Sequence, residues 1–193
     1  VGAMRDAEAA KIGLEASLTG HLVLSTLHTN SAVESVVRLL DMGADPFQFA
    51  DALLGVLAQR LARCLCAECR TPYAPSADEL RALAQEYCLG TARSADAVVE
   101  TWKTGFATAK RQLVLYTAKG CATCGQTGYK GRLGIHELFV AHPAIKRQIQ
   151  SKAFASDILD AAVAAGMRTL KQNGMERALR GDTDMLQVRA VCA

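Results

Sequence analysis

The sequence predicts an α/β fold, and three observations carry that prediction. A short apolar run, His21 to Leu27, leads through a polar turn into a capped helix, the order of a strand–turn–helix unit. Two Cys-x-x-Cys pairs, Cys66/Cys69 and Cys121/Cys124, mark a small metal-clamped element further along. From Pro143 onward the pattern is helical to the end. With 193 residues, 50% of them apolar and 21% charged, the chain is long enough for one large domain or two small ones and reads as globular.

In chain order, residues 6 to 18 are rich in Ala, Glu, Lys and Leu, with Ile12 and Leu14 at apolar spacing, and predict a helix ended by Gly20. His21 to Leu27 reads as a buried parallel strand. Ser31 and Glu34 form a capping box that opens the next helix, with Val33, Val36, Val37 and Leu40 on one face and Gly43 beyond its end. In an open α/β sheet ligands bind past the carboxyl ends of the strands, where a helix amino terminus adds N–H groups suited to phosphate. His28, Thr29 and Asn30 occupy that place. A satisfied loop histidine in a polar turn is the alternative reading of the same residues.

Asp45, Pro46 and Gln48 open another helix, whose apolar surface would run through Phe47, Ala50, Leu53, Leu54, Leu57 and Leu61. Arg60 and Arg63 near its end would reach a phosphate or carboxylate, or else be solvated. Thr71 to Pro75 reads as a turn, and Ser76 to Glu79 as a capping box leading a helix to about Tyr87. Residues 89 to 112 show little periodicity and read as a partly helical insertion anchored by Trp102. Leu113–Tyr116 and Ile135–Val140 look like short strands flanking the second cysteine pair. The tail then predicts four helices: one to about Lys152, one capped by Ser156 and stopped near Gly166, one ending near Gly181, and one from Thr183. They read as a small helical bundle.

Four thiols in two short knuckles match what a tetrahedral zinc ion needs, so Cys66, Cys69, Cys121 and Cys124 are the candidate ligands. The repeated glycines of the second knuckle, Gly120 to Gly134, let the backbone fold tightly around an ion. A thioredoxin-like role fits less well, because neither pair opens a helix after a strand. Cys64 is a possible competing ligand, and Cys88 and Cys192 read as packing or surface thiols. A net charge of +3, dispersed among acids, argues against nucleic acid as a partner. No run approaches a transmembrane helix and no leader is visible, which points to the cytoplasm. Beginning Val1-Gly2-Ala3-Met4, where a strand would be ending, the chain looks like the back part of a longer protein.

Three stretches in order, Gly2-Ala-Met-Arg5-Asp6, Thr19 to Asn30, and Ala58-Gln-Arg60-Leu ahead of a Cys-x-x-Cys, resemble the ATPases of type II secretion and type IV pilus assembly. The resemblance spans nearly the whole chain except about residues 85 to 112, and its tetracysteine element points to the secretion and pilus-extension branch. It implies the carboxy-terminal part of a RecA-like ATPase domain in residues 1–63, a tetracysteine zinc subdomain in 64–135 and a helical subdomain in 136–193. By that likeness Gly2 to Asp6 is the end of a Walker B segment and His21 to Asn30 a histidine box. His28 would lie near the γ-phosphate with His21 in support, and Arg5, Asp6, Thr29 and Arg60 would serve nucleotide binding. The parent protein would work as a cytoplasmic homo-hexamer, peripheral at a bacterial inner membrane, using ATP and magnesium and engaging a membrane platform protein and a cytoplasmic adaptor.

Two departures stand against the family pattern. Ala3 occupies the Walker B glutamate position, and no Gly-x-x-x-x-Gly-Lys-Ser/Thr loop occurs. A stand-alone zinc-binding interaction module, including a nucleic-acid-binding zinc ribbon, is the rival reading.

Overall fold

A computed structural model describes residues 2–107 and 112–192. They divide into two compact units: residues 1–58 with 137–167, and residues 59–136 with 168–193.

The first unit is built from five helices: α1 (Ala7–Leu18), α2 (Ala32–Asp41), α3 (Pro46–Ala52), α6 (Pro143–Gln150) and α7 (Ala155–Ala164). Asp6 caps α1 by accepting from Ala9 N–H, and Gly20, at φ 98°, turns the chain out of it. Ser31 caps α2 through Glu34 N–H, as the capping box predicts. Val33, Val36 and Leu39 of α2 pack with Phe49, Phe139, Ile145, Ile149 and Ile158 into one buried core. α7 starts two residues earlier than expected, with Phe154 as its cap residue, and Ser156 lies inside it.

The expected buried strand at His21–Leu27 is a correction. It forms no named strand among the described residues; it carries a parallel bridge between Ala3 and Thr26, and Leu22 and Leu24 are both 74% exposed. An inner parallel strand needs neighbours on both flanks and cover on both faces. Ala3 supplies one flank.

The long helix expected from Pro46 through Leu61 is also corrected. α3 stops at Ala52, and residues 55 to 65 form strand β1 (Gly55–Leu65), whose exposure alternates residue by residue. Leu57 and Leu61 consequently face outward. β1 pairs with β4 (Tyr129–Val140). Ala141 N–H donates to Leu54 O (3.0 Å) at one end and Cys66 N–H to Gly128 O (2.9 Å) at the other, so the two strands run antiparallel. Gly55 permits the approach, since a Cβ there would lie 2.7 Å from Phe139 O.

The second unit holds α4 (Ala77–Cys88), α5 (Ala95–Gly105), α8 (Leu170–Leu179) and α9 (Met185–Val191), with a small sheet of β2 (Thr71–Tyr73) and β3 (Leu115–Thr117). These two strands are antiparallel, Thr71 opposite Thr117, where a turn was expected at Thr71–Tyr73. The insertion contains α5, and Trp102 anchors it as expected: the ring is 2% exposed and meets Tyr87 edge-on at 5.3 Å. Residues 108–111 of that insertion lie outside the described part. Thr169 and Gln172 close a capping box on α8, whose Met175, Ala178 and Leu179 join the core. The tail helices are therefore shared, α6 and α7 in the first unit and α8 and α9 in the second. None of the described helices is long and apolar enough to cross a membrane.

Candidate functional site

In the second unit the four predicted ligands converge. Cys66 directly follows β1, the N–H of Cys69 donates back to Cys66 O (3.2 Å) in a turn, and Cys121 and Cys124 stand before and at the end of a short 3-10 turn over Ala122–Cys124. The Sγ atoms are 3.9 Å apart for Cys66 and Cys121, 3.8 Å for Cys69 and Cys124, and 3.7 Å for Cys121 and Cys124. All four lie within 4.8 Å of one another. Sulfurs about 2.3 Å from a tetrahedral ion stand about 3.8 Å apart, whereas a disulfide brings them to about 2.05 Å. The spacing is that of an ion-sized cage.

Backbone geometry builds the cage. Gly120 (φ 104°) and Gly128 (φ 77°) take left-handed conformations, and a Cβ would sit 2.7 Å from Gln126 O at the first and 2.6 Å from Ala118 Cβ at the second. The N–H groups of Gly128 (3.1 Å) and Cys121 (3.2 Å) both donate to Cys124 Sγ. Burial pushes that thiol up, but these two N–H donors and the neighbouring thiols outweigh it and bring it down to about 6. At Cys69 burial dominates and the thiol is pushed up to about 12. Cys64 stands outside the cluster; burial and Asp182 raise its thiol.

In the first unit, the bridge between Ala3 and Thr26 is parallel, with Met4 N–H donating to Thr26 O at 2.9 Å. That register puts Arg5 and Asp6 at the same carboxyl end as His28 and Thr29. Arg5 and His28 are exposed, while Asp6 is spent as the cap of α1. Thr29 Oγ1 lies 2.6 Å from Ser35 Oγ. His21 is turned back onto α1: its Nδ1 is 3.2 Å from Ala16 O and 3.3 Å from Thr19 Oγ1. Since a carbonyl only accepts, Nδ1 carries the proton and donates to Ala16. His21 also borders a cleft of about 590 Å³ lined mainly by apolar residues, among them Met4, Leu14, Leu24, Phe49 and Leu54. Arg60 belongs to the second unit on β1 and is half-buried; Arg63, nearby on the strand, stacks 4.8 Å above the Tyr129 ring.

At the amino end of α2 three N–H groups are engaged within the protein. Ser31 Oγ accepts from Glu34 N–H (3.1 Å), Glu34 Oε2 from Asn30 N–H (2.7 Å), and Glu137 Oε1 from Ala32 N–H (2.7 Å). Two carboxylates and the Ser31 hydroxyl therefore engage the N–H groups of Asn30, Ala32 and Glu34. Glu137 escaped the sequence reading, although a signal existed: alternation along β4 places Ile135, Glu137 and Phe139 together on the buried face, and a charge on such a face requires a partner.

Residues 1–190 match the model of the family described as Type II/IV secretion system protein. The chain belongs to that family. It is 41% identical over 191 residues to the type IV pilus assembly ATPase PilB of Thermus thermophilus, covering 98% of this chain and 19% of that protein. It is 40% identical over 191 residues to the type II secretion system ATPase E of Vibrio cholerae, covering 99% of this chain and 33% of that protein. This member of the secretion-system family thus spans a third or less of these two relatives. Its backbone matches the crystal structure of the Legionella pneumophila ATPase DotB with a TM-score of 0.56 at 16% identity, over 99% of this chain and 37% of that one, a likeness of fold.

Proposed function

We propose that the chain is the carboxy-terminal part of a RecA-like ATPase that hydrolyses ATP as a homo-hexamer and powers type II protein secretion or type IV pilus assembly. The observation that carries this reading is the parallel register of Ala3 with Thr26, which sets a Walker B-like end and the histidine turn side by side at one carboxyl edge. In this reading His28 faces the γ-phosphate side of nucleotide bound by the rest of the parent protein with magnesium, His21 supports the turn, and Arg5, Asp6 and Thr29 contribute to the nucleotide surroundings. The four cysteines hold zinc, which would fix the knuckles of a subdomain that docks on a membrane platform protein or cytoplasmic adaptor at the inner membrane. Family membership across nearly the whole chain leaves little room for a stand-alone nucleic-acid-binding zinc ribbon.

Phosphoryl transfer rests on positioning and charge, so Ala3 at the glutamate position should leave turnover low. Restoring the carboxylate with Ala3→Glu in the intact parent is expected to raise ATP turnover about a hundredfold, the scale of one well-placed catalytic group. A parent that gains nothing from Ala3→Glu and nothing measurable over buffer would refute the motor reading. The 193-residue chain by itself is expected to show no turnover.

A further inference from the structure

We propose that Glu137 is a positioning residue that anchors the histidine turn, an inference that rests on the motor reading for its functional consequence. Glu137 is only 3% exposed, between Ile135 and Phe139 on the inward face of β4, both 0% exposed. A carboxylate there loses its solvation and needs a hydrogen-bond donor in place of water. It is held by Ala32 N–H at 2.7 Å, the first residue of α2, and so lies at the positive end of the helix dipole. The contact joins residues 105 apart in sequence and is buried at both ends, since Ala32 is 0% exposed.

The turn ahead of α2 is tied down residue by residue. Asn30 N–H is held by Glu34, and Thr29 Oγ1 by Ser35, whose own hydroxyl donates to Ser31 O at 3.2 Å. Ser35 is 3% exposed, so this tie is shielded from water. Glu137 is the member of the set that comes from another element, and it fixes where the whole capped turn sits against β4. His28 is the next residue out. The N–H groups of Asn30, Ala32 and Glu34 are engaged by these oxygens, so the turn is held in one conformation ahead of α2. Glu137 then sets the placement of His28 without touching nucleotide itself.

Three substitutions separate the possibilities. Glu137→Gln keeps a carbonyl acceptor for Ala32 N–H, Glu137→Leu keeps bulk without an acceptor, and Glu137→Asp keeps the charge but falls one methylene short. Amide hydrogen exchange on the 193-residue chain should show Ala32 opening roughly tenfold faster or more in the Leu and Asp variants, and within about threefold of wild type in the Gln variant, as loss of a hydrogen bond to a charged group implies. In the intact parent, carrying Ala3→Glu as background, the Leu and Asp variants should lose about tenfold in kcat with KM within about twofold, and the Gln variant should be spared. Unchanged Ala32 exchange in both the Leu and Asp variants would overturn the anchor, as would a Gln variant as damaged as either. Should Glu137→Leu fail to fold, Glu137→Asp decides alone. Fast exchange with intact kcat reduces Glu137 to a structural tie and rejects the positioning role. If His28→Ala leaves parent turnover unchanged, the motor role of His28 fails, whereas the exchange result still decides the anchor.

Discussion

In the zinc reading each of the four thiolates would supply a quarter of the shell, so the loss of any one should empty it. Cys121→Ser is expected to lower bound zinc from one ion per chain to a small fraction, read by elemental analysis of freshly purified protein. Full zinc occupancy in that variant would show that the cluster is not the metal site. The glycines around the cage differ in what they permit. Gly120→Ala would put a methyl 2.7 Å from Gln126 O at φ 104°, so it should cost more than about 1 kcal/mol in urea unfolding. Gly125, at φ 61° with open space around its Cβ, should accept Asn at a few tenths of that. Equal costs at the two positions would contradict the close approach that places Gly120.

At the scale of elements, α9 is clasped to α4 by charge. Glu86 accepts from Arg189 Nη2 at 2.8 Å and Nε at 3.1 Å, with Lys171 Nζ at 3.7 Å. The Arg189 hydrogen bonds hold the Glu86 carboxyl below its usual range against the opposing effect of burial, helped by the charges of Arg189 and Lys171. A depressed folded-state pKa means that this clasp stabilises above the unfolded value of about 4.3 and that its contribution disappears as pH falls through the folded value. Arg189→Met should therefore lower Tm modestly at pH 7, on the scale of about 1 kcal/mol for a partly exposed pair, and the gap to wild type should narrow as pH falls below the unfolded value. A gap that stays constant across that range would mean that Arg189 acts through packing alone.

The same scale shows what sequence patterning reveals and what it hides. Capped helices were legible at Ser31, Asp45 and Ser76, where a side chain and the N–H it accepts from lie within one turn. The cage was legible because Cys-x-x-Cys spacing is itself the geometry. β1 was not, since Leu57, Ala58, Gln59, Arg60 and Leu61 are good helix formers whose strand conformation comes from pairing with β4, far along the chain. Gly55 was the local clue to that break. Glu137 shows the same limit at the site: its meaning depends on Ala32, a residue distant in sequence.

Across the whole molecule, the four clustered cysteines fall in the second unit, which has its own core around Trp102, Tyr87, Leu115 and Met175, distinct from the core of the first. Structural zinc adds roughly 10–16 kcal/mol to folding in small zinc-finger peptides, as much as the roughly 5–15 kcal/mol of net stability of a typical domain. Removing the ion should therefore strike one unit selectively. Trp102 is the only tryptophan of the chain and is buried in the second unit, so its fluorescence reports that unit alone, while far-UV circular dichroism follows helices of both. With chelator, the Trp102 transition should move to markedly lower temperature, and a second circular dichroism transition, from α1, α2, α3, α6 and α7, should stay near its original midpoint. A single transition that shifts equally in both signals would show that the units unfold together. A Trp102 midpoint indifferent to chelator would show that the second unit stands without its metal, and the cage would then have to be read as a docking or regulatory feature.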